Sequence, residues 1–241
     1  MPLPPVILLD LDDTIVSFSA SSRDFWREAY ETYRAGFHTV SVESFLDAIQ
    51  AAGNKFWKEP GRSFSGRMDL VWARREVVRS AFNRVGLRDK RLEIEIADYY
   101  TWEKEAAVAP LAGAVEALDA LRKKGIRLAL VSNGSSAFQR DKLSRFDLDR
   151  FFEITLIEGE LGYGKPDPRI FRQALSQMGV PARDAWMVGD NLEADIAGAK
   201  RIGLFAVWND YARIGLKEPV QEMPDLIINH LSDLLLTDRD L

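Results

Sequence analysis

From Pro110 onward, short apolar runs alternate with helix-length stretches, and that alternation restricts the chain to few folds. Ala112 to Lys124 places Val115, Leu118 and Leu121 on one helical face and stops at Gly125, after which Ile126 to Val131 reads as a buried strand. The pattern continues with a helix from Ser135 to Phe146, a strand from Ile154 to Ile157 and a helix from Pro168 to Met178. A strand from Ala185 to Val188, a helix from Glu193 to Ile202 and a strand from Leu204 to Trp208 follow. Leu226 to Ile228 can add one strand more, before a short terminal helix. Strands alternating with helices of roughly a dozen residues predict right-handed βαβ units and a parallel sheet.

One strand stands apart from the rest. Val6-Ile-Leu-Leu-Asp10 is an apolar run that follows Pro4 and Pro5 and ends in acid, as a buried strand does where it meets solvent. Between it and Pro110 the texture is helical. Phe25, Trp26, Ala29, Tyr30 and Tyr33 form one stripe, and Leu70, Val71, Val77, Val78 and Phe82 fit another. Four or so helices are expected there, and no strand. The predicted architecture is therefore α/β. It has a Rossmann-like parallel-sheet core in three α/β/α layers, formed by residues 1–18 and 108–241, with an α-helical cap domain inserted at 19–107. The insertion begins beside the strand end where open α/β sheets bind ligands, which places it to act as a lid.

A chain of 241 residues has room for such a core and a smaller inserted domain. It has no cysteine, so disulfides and thiolate metal sites are excluded. The two histidines, His38 and His230, are far apart, so a divalent cation must be held mainly by oxygen; that favours magnesium, manganese or calcium over zinc. His38 reads as a surface or capping residue. The net charge of −5 argues against a nucleic-acid partner. No apolar run approaches the roughly 18 residues of a membrane span, and Val6–Leu9 is too short for a signal peptide. A soluble, cytoplasmic protein, monomeric or homodimeric and without a membrane partner, is expected.

Four short segments carry the chemistry, each just beyond a predicted strand or in its connecting loop. They are Asp10-Leu-Asp12-Asp13-Thr14, Ser132-Asn133-Gly134-Ser135, Gly164-Lys165-Pro166-Asp167 and Gly189-Asp190 through Asp195. Residues two apart at a strand end project to one side, so Asp10 and Asp12 can face one pocket. Hydrolysis of a phosphate ester needs a nucleophile, positive charge around the phosphoryl group and an acid for the leaving alkoxide. Asp10 can attack phosphorus, and a magnesium ion between Asp10 and Asp190 would let two anions approach. Asp12 can give a proton and later activate water. Ser132, Asn133 and neighbouring N–H groups can hold phosphate oxygens, Lys165 adds fixed charge, and Asp195 can orient the metal's surroundings. The first is seldom met by chance at the end of an apolar strand, whereas any one of the other three alone reads as a turn, a cap or a solvated charge. In this order after successive strands, they support one another.

Asp10-x-Asp12-x-Thr14, Ser132, Lys165 and Gly189-Asp190 with Asp195 resemble the four ordered motifs of the haloacid dehalogenase-like hydrolase superfamily, in its subgroup with an α-helical cap. The stretch 131–209 looks most like sugar-phosphate and nucleotide phosphatases such as N-acetylneuraminate 9-phosphate phosphatase. The resemblance implies that Asp10 is nucleophile and metal ligand, and that Asp12 is general acid/base and lends its backbone carbonyl to Mg2+. It further implies that Ser132 and Lys165 bind the phosphoryl group, that Asp190 is a direct or water-mediated metal ligand, and that Asp195 supports it, with Thr14 completing the first motif. True dehalogenases of this superfamily lack the second acid; its presence here as Asp12 favours an alkoxide leaving group, and so a phosphatase acting on a small phosphorylated metabolite. A phosphomutase would use the same acids, and a phospho-accepting signalling module would share the sheet, the aspartate and the lysine. In the insertion, Lys55, Lys58, Arg62, Arg67, Arg74 and Arg75 are the cations available to an anionic substrate, and the segment 55–67 reads as a specificity loop.

Overall fold

The computed structural model describes residues 2–18, 22–216 and 222–236. It divides into two compact units, one made of Met1–Phe18 and Ala109–Leu241 and the other of Ser19–Val108.

The first unit is built on a six-stranded sheet. Its strands are β1 (Val6–Leu9), β2 (Arg127–Ser132), β3 (Ile154–Ile157), β4 (Ala185–Gly189), β5 (Phe205–Asn209) and β6 (Leu226–Ile228). Every pairing is parallel and the order is β3-β2-β1-β4-β5-β6. All four residues of β1 are fully buried, as a central parallel strand covered on both faces requires. One face packs Val6, Leu8, Val131 and Met187 against Ile170, Phe171 and Ala174 of helix α9 (Pro168–Met178). Asp167 caps α9, Pro168 fills its first position, where no hydrogen bond is lost, and Gly179 closes it in the left-handed region.

The strand order changes direction between β1 and β4. β2 and β3 follow β1 on one side, while β4, β5 and β6 lie on the other, so the connecting loops part above β1 and β4. In register, Leu9 lies opposite Leu130 on β2 and Val188 on β4. The next residues, Asp10, Val131-Ser132 and Gly189-Asp190, therefore emerge side by side.

Two departures from the sequence reading concern local geometry. The expected helix 193–202 is a π-helix over Leu192–Ala197 followed by the short α10 (Gly198–Lys200). The terminal helix is a 3-10 turn, Leu231–Leu235.

The second unit holds five α-helices among its described residues: α1 (Ser22–Thr32), α2 (Val42–Lys58), α3 (Pro60–Met68), α4 (Leu70–Val85) and α5 (Lys90–Ala106). Its interior is aromatic: Trp26 stacks on Tyr100 at 3.5 Å, and Tyr30, Phe37, Phe45 and Phe82 fill the space beside them. The segment 55–67 is not a loop. α2 continues to Lys58, and α3 begins at Pro60. Gly66, a punctuation mark in the sequence, is buried where an added Cβ would come within 2.7 Å of the Phe56 ring. The glycine serves close packing, and packing overrides its low helix propensity.

Candidate active site

The first motif begins where β1 runs out. The Asp10 amide continues the ladder, donating to the Val188 carbonyl at 3.0 Å, and its side chain is almost wholly buried. After it the chain turns sharply. Asp13 has a φ of 56°, its amide bonds to the Val16 carbonyl at 2.7 Å, and its carboxylate accepts from the Phe18 amide and from the Tyr211 hydroxyl. Burial, then the Asp13 charge, raises the Tyr211 pKa, so the phenol stays a proton donor to Asp13. The outgoing segment also pairs with the returning one, through Ser17 to Ala109 and Leu111 to Ile15 backbone hydrogen bonds. The Thr14 hydroxyl is buried and has no hydrogen-bond partner among the described residues.

Lys165 lies between two aspartates. Its Nζ is 2.7 Å from Asp10 Oδ1 and 2.7 Å from Asp195 Oδ1, and all three side chains are nearly removed from water. Burial alone would lower the lysine pKa, but the attraction of Asp10 and Asp195 outweighs it, so Lys165 is held charged. The loop carrying Lys165 is fastened by Asn133. The Asn133 amide accepts from the Lys165 N–H and donates to the Lys165 carbonyl, each at 2.7 Å. Gly164 permits this closeness, because a Cβ there would lie 2.5 Å from Asn133 Oδ1. The Asn133 side chain is thus engaged with the lysine backbone.

On the other side of β1, Asp190 follows β4 and keeps its backbone in place by accepting from the Trp208 indole at 2.7 Å. Asp195 is fully buried and turns back through the π-helix, so that its Oδ2 accepts from the Asn191 amide at 2.9 Å. This close return requires Gly189, where a Cβ would fall 2.2 Å from Asp195 Oδ2. Asp10, Asp190 and Asp195 each offer an oxygen within 4.8 Å of the others. Burial, opposed by Lys165 but reinforced by Asp195, pushes Asp10 up to about 7. Burial and then the Asp10 charge push Asp190 up to about 9. Once all are ionised, three carboxylates against one lysine leave a surplus of negative charge, and an all-oxygen donor set of this kind suits a hard divalent cation such as magnesium.

Asp12 faces other partners. Its Oδ1 is 2.7 Å from Lys142 Nζ and its Oδ2 accepts from Gln139 Nε2 at 3.0 Å. Gln139 Nε2 also reaches Ser132 Oγ at 2.7 Å and the Asn133 carbonyl at 2.9 Å. Gln139 and Lys142 belong to α7 (Ser136–Arg145), and the sequence reading passed over both. The available signal was their spacing: three apart on a helix that starts just after Ser132, they share one face.

Among known proteins, the chain matches the haloacid dehalogenase-like hydrolases over residues 4–203. It is 33% identical over 262 aligned residues to a phosphoserine phosphatase of Thermus thermophilus, covering 97% of this chain and 98% of that protein. It is 41% identical over 203 residues to the pyrimidine 5′-nucleotidase YjjG of Escherichia coli, covering 84% of each. Its fold superposes on the magnesium-bound hydrolase YfnB of Bacillus subtilis with a TM-score of 0.75 at 20% identity, covering 98% and 99% of the two chains. The strand order, the acids it gathers and a family match reaching from β1 past Asp195 agree: the chain belongs to the haloacid dehalogenase-like hydrolases.

Proposed function

We propose that this enzyme is a magnesium-dependent phosphatase that hydrolyses a small phosphomonoester through a phosphoryl group carried on Asp10. The observation that carries the reading is the placement of the Asp10 carboxylate at the end of β1, 2.7 Å from Lys165 and clustered with Asp190 and Asp195. Relatives across nearly the full chain are named as phosphatases, which supports hydrolysis of phosphoric monoesters.

Asp10, Asp190 and Asp195, with the Asp12 backbone carbonyl, are the groups available to a magnesium ion. The ion supplies charge neutralisation where carboxylate and phosphate meet. The chain's own residues account for the rest. Asp10 attacks phosphorus; a bond from its carboxylate oxygen to phosphorus forms as the ester P–O bond breaks. Lys165 and the Ser132 hydroxyl hold the non-bridging oxygens, and Asn133 fixes the loop that presents Lys165. Asp12 gives its proton to the departing alkoxide. It then takes a proton from the water whose oxygen attacks phosphorus and releases the Asp10 carboxylate. Asp12 retains 25% side-chain exposure, so it stays open to a leaving group and to water.

We assign substrate selection to the helical unit, whose exposed Lys55 and Lys58 lie beside the aromatic pair Phe56 and Trp57. Arg74 and Arg75 have other duties: Arg74 is buried against Glu105 at 3.1 Å, and Arg75 is paired with Asp98. The test of the whole reading is phosphate release from a panel of phosphorylated metabolites and from p-nitrophenyl phosphate. The expected result is turnover with magnesium that stops with chelator; conversion of one phosphate ester to its isomer without phosphate release contradicts it.

A further inference from the structure

Helix α7 carries a device that neither the motifs nor the family assignment accounts for. Ser135 caps the helix immediately after β2, and three side chains turn inward: Gln139, Lys142 and Leu143. Two of them are polar. Lys142 is 1% exposed and Gln139 2% exposed. A lysine is rarely buried this far, because loss of water around the ammonium is costly unless partners replace it. Here the partners are Asp12 Oδ1 at 2.7 Å, Gln139 Oε1 at 3.0 Å and the face of the Phe18 ring at 4.2 Å. The Gln139 amide nitrogen has two hydrogens and lies within bonding distance of three acceptors, Asp12, Ser132 and the Asn133 carbonyl. Both oxygens of Asp12 are thus gripped from the buried side, while the carboxylate keeps an exposed edge.

A buried ion pair of this kind adds little to stability compared with an apolar pair of the same volume. Its value lies in placement. We propose that Gln139 and Lys142 are positioning residues that hold the Asp12 carboxylate at the site of proton transfer and tie it, through the Gln139 amide, to the phosphoryl-binding Ser132. Among the described residues their polar partners are Asp12, Ser132, the Asn133 carbonyl and each other. The inference rests on the phosphatase reading and adds to it a specific expectation: loss of either residue harms the step that needs a proton more than the step that does not.

The experiment is a comparison of kcat/KM for an alkyl phosphate and for p-nitrophenyl phosphate, whose leaving group departs without help. Lys142→Met lowers kcat/KM for the alkyl ester by about 10- to 100-fold, the scale of a misplaced catalytic group. It lowers the aryl ester by less than about threefold, and leaves inhibition by inorganic phosphate in place. Gln139→Leu, which also frees Ser132, weakens phosphate inhibition and lowers both esters somewhat, but still lowers the alkyl ester by about tenfold more than the aryl ester, and carries the test should Lys142→Met fail to fold. In the Asp12→Asn background, Lys142→Met has little further effect, because the residue it positions is already lost. Equal falls for both esters, or a full additional loss on top of Asp12→Asn, overturn the proposal. A wild-type enzyme releasing phosphate from no ester would overturn the phosphatase reading itself, a result plainly distinct from those two.

Discussion

Asp10 and Asp12 are two residues apart, yet they sit in opposite surroundings. Asp10 lies in a closed nest of like charges, with Asp190 and Asp195 close by and a single lysine between Asp10 and Asp195. Asp12 keeps a quarter of its side chain exposed and has a donor on each oxygen. The difference comes from the fold. Asp10 is the last residue on the β1 ladder and its carboxylate meets Lys165, Asp190 and Asp195, whereas Asp12 lies just before the turn that begins at Asp13 and meets α7, which follows β2. Under the proposed function, two identical side chains are thereby fitted for different work, one as a nucleophile beside a cation and one as a proton carrier.

The largest test of that contrast is Asp10→Asn. An amide cannot serve as the carboxylate nucleophile, so turnover falls by at least about a thousandfold for every ester, aryl and alkyl alike. Steady-state rates on protein checked by mass spectrometry for deamidation measure it, and more than a few per cent residual activity contradicts the assignment. Asp12→Asn differs in kind. The loss reaches about 10²- to 10⁴-fold for alkyl phosphates and is clearly smaller for p-nitrophenyl phosphate when phosphorylation is followed through kcat/KM. Equal losses would erase the distinction between the two acids.

A smaller effect is expected from Gly189→Ala. The new methyl group displaces Asp195, lowering magnesium affinity by roughly 10- to 100-fold while Asp10 and Asp12 remain in place. Titration calorimetry reads it, and unchanged affinity would detach Asp195 from the metal.

The mildest test is pH. Without a cation, Asp10 near 7 and Asp190 near 9 hold protons that the unfolded chain, with carboxylates at 3.8, has released. The folded state therefore binds more protons, and its stability falls as pH rises from about 4 through 9. A cation needs both groups ionised, so magnesium stabilisation grows across pH 7 to 9. At about a hundredfold excess over Kd, it adds about 2.7 kcal/mol, a rise in Tm of roughly 5–10 °C. A magnesium shift that shrinks over that interval contradicts the crowded-carboxylate picture.

Much of this was legible in the sequence where local rules and the tertiary fold agree. β3, β6 and α9 fall on the expected residues, and α9 shows why: an aspartate cap, a proline at its first position and a closing glycine mark its ends. The reading failed where side chains reach over distance. The π-helix at Leu192–Ala197 depends on Asp195 folding back to the Asn191 amide beside Gly189, which no periodicity records. Segment 55–67 looked like a loop because of its proline and two glycines, yet Gly66 is fixed by the Phe56 ring. Lys142 and Gln139 look like solvated charge and polarity on a hydrophilic helix, since only the three-dimensional neighbourhood of Asp12 reveals their burial. The same holds for Arg74, whose partner Glu105 is on another helix.

The contrast between the two acids rests finally on which carboxylate carries the phosphoryl group. Wild-type enzyme mixed with substrate and magnesium, quenched in acid within the first turnover and digested for mass spectrometry, answers that directly. The account predicts one added phosphoryl group on the peptide containing Asp10, assigned to Asp10 by fragmentation and absent from Asp10→Asn. A phosphoryl group mapped to Asp12 or to any other residue contradicts it.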